Sequence, residues 1–167
     1  MSNLIESANA IAGKTNDIHL RFQYFEDRKM LMVLNSTADE GKKSFKNMDI
    51  EILRLDCILP KDCTKLFANI PFTDIEYGLN FDSSNVVNAT SMFEGSHISE
   101  IKFSQWNLSN LECMDDMFYE CPWLVVANFA QAKFPKLQKA SCTFYKCDKL
   151  AFVDLADVDM SHVYRLN

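Results

Sequence analysis

Alternation of apolar and polar residues near the start of the chain predicts a β-hairpin. Apolar residues occupy every second position from Ile18 to Tyr24, which is the period of a half-buried strand. A charged turn over 26–29 and a second apolar run from Met30 to Leu34 complete the hairpin. A polar stretch over 35–47 then predicts a loop.

The residues before this hairpin have a different spacing. Their apolar side chains recur with the period of a helix, at Leu4, Ile5, Ala8 and Ile11. Asn3 is placed to cap such a helix, and Gly13 is placed to end it. We therefore predict a short N-terminal helix before the hairpin.

Beyond the loop, one phenylalanine recurs at a nearly fixed period. Phe67, Phe93, Phe118 and Phe144 are separated by 26, 25 and 26 residues. Self-similarity at such a period indicates a solenoid, because one coil cannot bury its own apolar face and must stack on its neighbours. We predict coils that each contain a strand and a short helix or irregular arm, with the four rings aligned inside the stack.

Each predicted coil begins with a short alternating segment that contributes two inward apolar residues. These pairs are Ile50/Ile52, Ile75/Tyr77, Ile101/Phe103, Ala127/Phe129 and Val153/Leu155. They predict about five parallel strands at the ~4.8 Å spacing of a sheet.

Two of the coils resemble the repeat of BspA-type leucine-rich repeat proteins. Segments 81–93 and 106–118 each begin with an aromatic residue, continue through Ser-Asn and an apolar residue, and end with Met-Phe. The coil Trp123–Asp148 keeps the phenylalanine and a following cysteine, with Phe134-Pro135-Lys136-Leu137 in place of the Ser-Asn signature. The resemblance covers roughly residues 49–163. Members of that family are mostly long, secreted or surface-attached bacterial and protist proteins that bind other proteins.

The resemblance implies a leucine-rich-repeat stack. The predicted fold is therefore an α+β solenoid of about five parallel strands, capped by the N-terminal helix and the β-hairpin. Residues 1–47 would form the cap and residues 48–167 the solenoid, and the two would share one domain.

Residues that alternate with the inward pairs are expected to face solvent. Stacked in order, they begin with carboxylates and end with apolar side chains: Asp49 and Glu51, Asp74 and Glu76, Glu100 and Lys102, Val126 and Asn128, Phe152 and Asp154. We predict that this face binds a basic surface of a protein partner, with Phe152, Val126 or Trp106 as apolar anchors. The alternatives are a solvated face that only discourages edge pairing and, for Trp106 and Trp123, simple core packing.

Composition and charge narrow the possible partners. The chain has 167 residues, 48% of them hydrophobic, and its formal net charge is −6, which fits one soluble domain. A negative field disfavours direct nucleic-acid binding, since phosphate recognition needs clustered Lys and Arg. The sequence shows neither a secretory signal nor an apolar run of ~18 residues, so we expect a cytoplasmic protein without a membrane span.

Side chains that could support catalysis or metal binding are scattered along the chain. Cys121 and Cys147 each follow a ladder phenylalanine by three residues, so they are expected to stack as small buried side chains, a disulfide or part of a metal site. The sequence contains no Cys-x-x-Cys pair and no Gly-rich phosphate loop. We therefore predict no enzyme activity, no metal site and no cofactor.

These features together predict a non-catalytic protein-binding module. A more specific alternative, by analogy with short acidic phage proteins, is an intracellular inhibitor that blocks a nucleic-acid-binding protein, such as an anti-CRISPR or other anti-defence protein. A surface adhesin fragment is a further alternative. The sequence does not determine the oligomeric state.

Overall fold

A computed structural model describes residues 18–38, 45, 47–156 and 158–165. Regular structure within these ranges consists of β-strands and two 3-10 helices, with no α-helix. The strands are β1 (His19–Phe25), β2 (Met30–Ser36), β3 (Ile52–Asp56), β4 (Asp74–Tyr77), β5 (Glu100–Lys102), β6 (Val126–Asn128) and β7 (Phe152–Asp154). The 3-10 helices span Glu26–Arg28 and Phe103–Gln105.

The fold is a β-solenoid of about five coils, each begun by one of the strands β3 to β7. The α+β class predicted from the sequence is therefore wrong for the described residues. The predicted N-terminal helix lies outside them.

Of the two alternatives predicted for the arm of each coil, a short helix or an irregular arm, the structure has the irregular one, built from tight turns. The residues two positions before and two positions after the ladder phenylalanine have φ values between 52° and 68°. They are Lys65 and Asn69, Ser91 and Gly95, Asp116 and Glu120, and Cys142 and Lys146. A right-handed helix requires negative φ, so two left-handed residues per arm prevent a helix from forming there.

The predicted hairpin is confirmed, and it covers the first coil. β1 pairs antiparallel with β2, from His19 opposite Ser36 to Phe25 opposite Met30. β2 then pairs in parallel with β3. The hairpin thus continues the sheet of the solenoid and protects the edge that β3 would otherwise expose.

The predicted register of the first coil is wrong. Leu53 lies opposite Ile75 and Leu55 opposite Tyr77, so the fully buried Leu53 and Leu55 form the inward pair in place of Ile50 and Ile52. The first coil takes 22 residues from Leu53 to Ile75, whereas the next takes 26 from Ile75 to Ile101. Apolar residues at 50, 52, 53 and 55 fit either frame, so alternation alone could not choose between them.

The predicted phenylalanine ladder runs through the core. Ring centroids are 5.7 Å apart for Phe67 and Phe93, 5.5 Å for Phe93 and Phe118, and 5.7 Å for Phe118 and Phe144, and all three pairs are stacked. The first three rings are fully buried, and Phe144 is half-buried. Offset aromatic stacking at this spacing adds to the hydrophobic gain of each ring.

A row of parallel bridges joins the coils on a second side. Asp62, Asn88, Cys113, Lys139 and Arg165 bridge consecutively, one residue per coil. The N–H of Ala89 donates to the carbonyl of Cys113 at 2.8 Å, next to the bridge between coils two and three. Main-chain hydrogen bonds therefore connect neighbouring coils away from the strands as well as along them.

Candidate protein-binding site

The sheet of the solenoid is interrupted between β4 and β5. Hydrogen bonds join β1 to β4 into one sheet and β5 to β7 into another, but β4 and β5 are not paired. At the neighbouring junction, Thr73 and Asp74 both donate to the carbonyl of Glu51, at 2.9 and 3.1 Å. At the start of β5, by contrast, the N–H of Ser99 donates to the carbonyl of Thr73 at 3.4 Å, and no main-chain bond between β4 and β5 follows among the described residues. The two strands therefore separate from this point onward.

The separation leaves a groove of about 500 Å³ on the outer face of the strands, called here the β4–β5 groove. Charged and polar side chains line much of it: Arg54, Asp74, Glu76, Glu100, Lys102 and Gln105. Four of the predicted partner-binding residues thus meet at one place. The groove itself was not predicted, because no local pattern marks where two coils fail to pair.

An aromatic cluster lies beside the groove where the strands part. Trp106 Nε1 donates to the hydroxyl of Tyr77 at 2.9 Å, and the Phe81 ring lies 4.8 Å from Tyr77 and 5.0 Å from Trp106. Burial raises the pKa of Tyr77. Trp106 is only 6% exposed, so the prediction that it is a partner anchor is wrong. The apolar part of its ring is buried in the core, and its one polar group, the indole N–H, is hydrogen-bonded to Tyr77.

A serine side chain joins the two coils just beyond this cluster. The hydroxyl oxygen of the buried Ser83 accepts a hydrogen bond from the N–H of Asn107 at 2.8 Å. The same hydroxyl donates to the carbonyl of Asn107 at 3.3 Å. In the preceding coil the N–H of Leu59 bonds directly to the carbonyl of Asp82 at 2.8 Å. Ser83 therefore spans a wider gap between these two coils than the direct main-chain bond does at the preceding junction.

The predicted carboxylates of β4 and β5 are exposed, but two cations lie among them. Arg54 pairs with Glu76 at 2.9 Å, and Lys102 pairs with Glu100 at 3.1 Å. Asp74 accepts from the hydroxyl of Thr73 at 2.8 Å. Arg54 is present because the corrected register of β3 places it beside Glu76. The face carries mixed charge with an acidic excess.

Asp49 and Glu51 lie before β3, outside the residues of β3 that pair with β4. Lys29 Nζ is 3.2 Å from Asp49 and 2.6 Å from Glu51. Hydrogen bonds to Glu51 and Asp49 raise the pKa of Lys29. The two carboxylates are exposed but are shared with this lysine, so their charge is partly neutralised within the chain.

At the opposite end of the face, the two apolar side chains predicted there differ in exposure. Phe152 is 54% exposed, whereas Val126 is half-buried. Trp123 is the exposed tryptophan, and Lys149 Nζ lies 3.6 Å from the centroid of its ring. Leu155, predicted to point inward with Val153, is exposed. Because β7 is the last strand of its sheet, no further described coil covers these side chains.

Cys121 and Cys147 occupy equivalent repeat positions without a disulfide, and Cys121 is buried whereas Cys147 is half-buried. Each thiol donates to the carbonyl of the ladder phenylalanine one coil earlier, Phe93 and Phe118 respectively, at 3.1 Å. Burial raises the pKa of Cys147 to about 11 and that of Cys57 to about 12. Of the alternatives for Cys121 and Cys147, the structure supports compact, hydrogen-bonded core side chains.

The raised pKa values of these thiols lead us to expect a lower free energy of unfolding at alkaline pH. Unfolding returns Cys57 to its ordinary pKa of 9.0, so above that pH the unfolded chain releases a proton that the folded chain retains. The free energy of unfolding should fall as the pH rises from about 9 towards 12, by up to about 1.4 kcal/mol per pH unit for one thiol. Urea unfolding at pH 8, 9.5 and 10.5 measures this slope. A Cys57→Ala variant should show a shallower slope, and an unchanged slope would contradict the assignment.

Two features are absent from the residues that the structure describes, a cluster of metal ligands and a membrane-spanning helix. Among them, no group of three or more His, Cys, Asp and Glu side chains is placed to hold a metal ion. No helix in the same part of the chain is long and apolar enough to cross a membrane.

Comparison with protein-family models gives a match over most of the solenoid. A family model described as "Mycoplasma protein of unknown function, DUF285" matches residues 42–155, which cover the strands β3 to β7. This description is compatible with the BspA-type repeat but does not name it. No curated protein and no solved structure matches the chain. Because the match spans more than half of the sequence, the chain belongs to this DUF285 family.

Proposed function

We propose that the chain is a non-catalytic, cytoplasmic protein-binding module whose outer strand face engages a basic surface of a partner. The observation that carries this proposal is the exposure of Asp74, Glu76 and Glu100 together at the β4–β5 groove. The stacked coils hold these carboxylates on a rigid frame, so little conformational entropy is lost when a partner docks.

The two ends of the face have different roles in this proposal. The carboxylates around the groove steer and orient a basic surface of the partner. Arg54 and Lys102, which lie among them, would repel partner cations that are displaced from the carboxylates, so binding depends on how the two surfaces are aligned. Phe152 and Trp123 supply exposed apolar area for the contact. Charge thus contributes specificity and apolar burial contributes affinity.

The finer fold assignment is also a proposal. We infer that the repeat is a BspA-type leucine-rich repeat, which the segments 81–93 and 106–118 support through their shared Ser-Asn and Met-Phe positions. The observed ladder of Phe93 and Phe118 is consistent with that repeat.

Charge reversal tests the proposed docking face. Changing Asp74, Glu76 and Glu100 together to lysine should reduce partner capture from a host lysate, identified by mass spectrometry, at least tenfold. The thermal midpoint should change little, because exposed ion pairs contribute only about 0–1 kcal/mol each. Capture by the unaltered chain should also weaken as salt concentration rises.

The matched control carries the same change in net charge elsewhere. Glu112, Asp148 and Asp159 are exposed and lie outside the strands, and changing all three to lysine should leave capture intact. Equal capture by the two triple variants would show that the strand face does not bind the partner.

A further inference from the structure

We propose that the β4–β5 groove is a receptor for one basic side chain of the partner, arginine in preference to lysine. This inference rests on the proposed function and adds the place and the chemistry of the contact. Three features support it: unpaired main-chain groups, hydrogen bonds that hold the two coils together on either side of the groove, and a carboxylate without a cationic partner among the described residues.

Main-chain donors and acceptors face the groove from both strands. The N–H of Asp74 bonds to the carbonyl of Glu51, just before β3, and the N–H of Gly78 bonds to that of Leu55 in β3. The N–H groups of the alternate residues Ile75 and Tyr77 therefore point the other way, towards β5. The carbonyl of Ser99, just before β5, accepts hydrogen bonds from Val125 and Val126 next to and in β6. Because main-chain directions alternate along a strand, the main-chain N–H and C=O groups of Glu100 and Lys102 point towards β4. Among the described residues, these groove-facing N–H and C=O groups have no main-chain partner. Their carbonyls are acceptors for an incoming donor.

Hydrogen bonds join the two coils on either side of the β4–β5 separation, which disfavours a threaded peptide. Ser99 and Thr73 approach within 3.4 Å on one side, and Ser83 joins Asn107 on the other. Elsewhere the same two coils are bonded, since Ser91 donates to the carbonyl of Asp115 at 2.9 Å. They therefore cannot separate widely enough to admit a whole strand. A side chain entering from the outer face needs no such separation.

The charges at the mouth of the groove favour a cation. Asp74, Glu76 and Glu100 outnumber Arg54 and Lys102, and each of the two cations already contacts a carboxylate. Among the described residues Asp74 has a hydroxyl partner but no cationic one. An incoming cation would therefore complete the charge pairing at this site.

Arginine fits these acceptors better than lysine does. Its planar guanidinium presents five N–H donors, whereas the lysine ammonium presents three at one point. The groove offers carbonyls on two strands and carboxylates at its mouth, so several planar donors can be used at once. The volume of about 500 Å³ leaves room for water at the open N–H groups.

Amide NMR with a defined probe tests the proposal. The probe is the peptide acetyl-Gly-Gly-Arg-Gly-Gly-amide, and its neutral isostere replaces arginine by citrulline. We expect the arginine peptide to shift the amide signals of Ile75, Tyr77, Glu100 and Lys102, and to bind at least tenfold more tightly than the citrulline peptide. The lysine peptide should bind with intermediate affinity. Absence of these shifts, or equal affinity for arginine and citrulline, would overturn the proposal.

Variants and hydrogen exchange give independent readouts. Asp74→Asn should weaken arginine-peptide binding at least tenfold, whereas Glu112→Gln, an exposed residue outside the strands, should not change it. In the free protein the amides of Ile75 and Tyr77 should exchange faster than those of Asp74 and Glu76, which face β3. Equal protection of the alternating amides would mean that the strand edge is not open.

The outcomes separate this inference from the proposed function. If charge reversal abolishes partner capture while the arginine peptide leaves the groove signals unmoved, the docking face stands and the side-chain receptor is wrong. If the peptide binds in the groove but charge reversal leaves capture unchanged, the receptor stands and the proposed function is wrong.

Discussion

Replacing Phe118 with alanine is expected to lower the free energy of unfolding by about 3–5 kcal/mol. The ring is fully buried and stacks between Phe93 and Phe144, with Phe103 packed against it edge-on at 6.3 Å. Its removal leaves a cavity in the middle of the ladder. Since each coil of a solenoid contacts mainly its neighbours, this cavity weakens the junctions on both sides.

Chemical denaturation followed by circular dichroism measures this change. The matched control is Leu79→Ala, because Leu79 is 99% exposed and its loss should change stability by less than about 0.5 kcal/mol. Phe144→Ala should fall between the two, since that ring is half-buried. A loss below about 1 kcal/mol for Phe118→Ala would mean that the ladder does not stabilise the stack.

Replacing Gly78 with alanine is expected to lower the free energy of unfolding by about 1–3 kcal/mol. An added Cβ would meet the Asp56 side chain, with its Cβ only 2.5 Å away. Asp56 cannot move without loss, because its Oδ1 accepts from the N–H of Asn80 at 2.9 Å and from Asn80 Nδ2 at 3.0 Å. Gly78 is therefore required by the close approach of two coils next to β4.

A rescue experiment distinguishes this clash from a general backbone effect. Because the overlap includes the Cβ of Asp56, Asp56→Ala should fail to restore stability in the Gly78→Ala background, whereas Asp56→Gly should restore part of it. Denaturant midpoints of the two single and two double variants measure the coupling. Equal rescue by alanine and glycine would contradict the proposed contact.

Much of the solenoid could be predicted because its signals repeat. The four ladder phenylalanines and the inward Ile75, Ile101 and Ala127 recur at almost constant steps, and stacking forces equivalent positions into equivalent places. The hairpin was predictable because alternation is a local property of a half-buried strand. The exposure of Asp74, Glu76 and Glu100 then followed from the inward set.

The errors occurred where a local pattern fits two structures. Four apolar residues between 50 and 55 allow two frames for β3, and only pairing with β4 selects the one that places Arg54 beside Glu76. The repeat left both a short helix and an irregular arm open, and the left-handed residues Asp116 and Glu120 produce the irregular arm. The sequence could not show which of Trp106 and Trp123 is buried, because the burial of each ring depends on the neighbouring coil.

The sequence by itself determined the period of the stack, the aromatic ladder and the acidic character of the middle strands, because these properties repeat along the chain or follow from alternation within one strand. Only the tertiary structure decided which tryptophan is buried, which carboxylates are shared with Lys29, and where the sheet opens. Those outcomes depend on the fit between adjacent coils. At the β4–β5 junction Trp106 packs against Tyr77 and Ser83 spans the wider gap, and residues from two separate coils create a groove that neither coil contains alone.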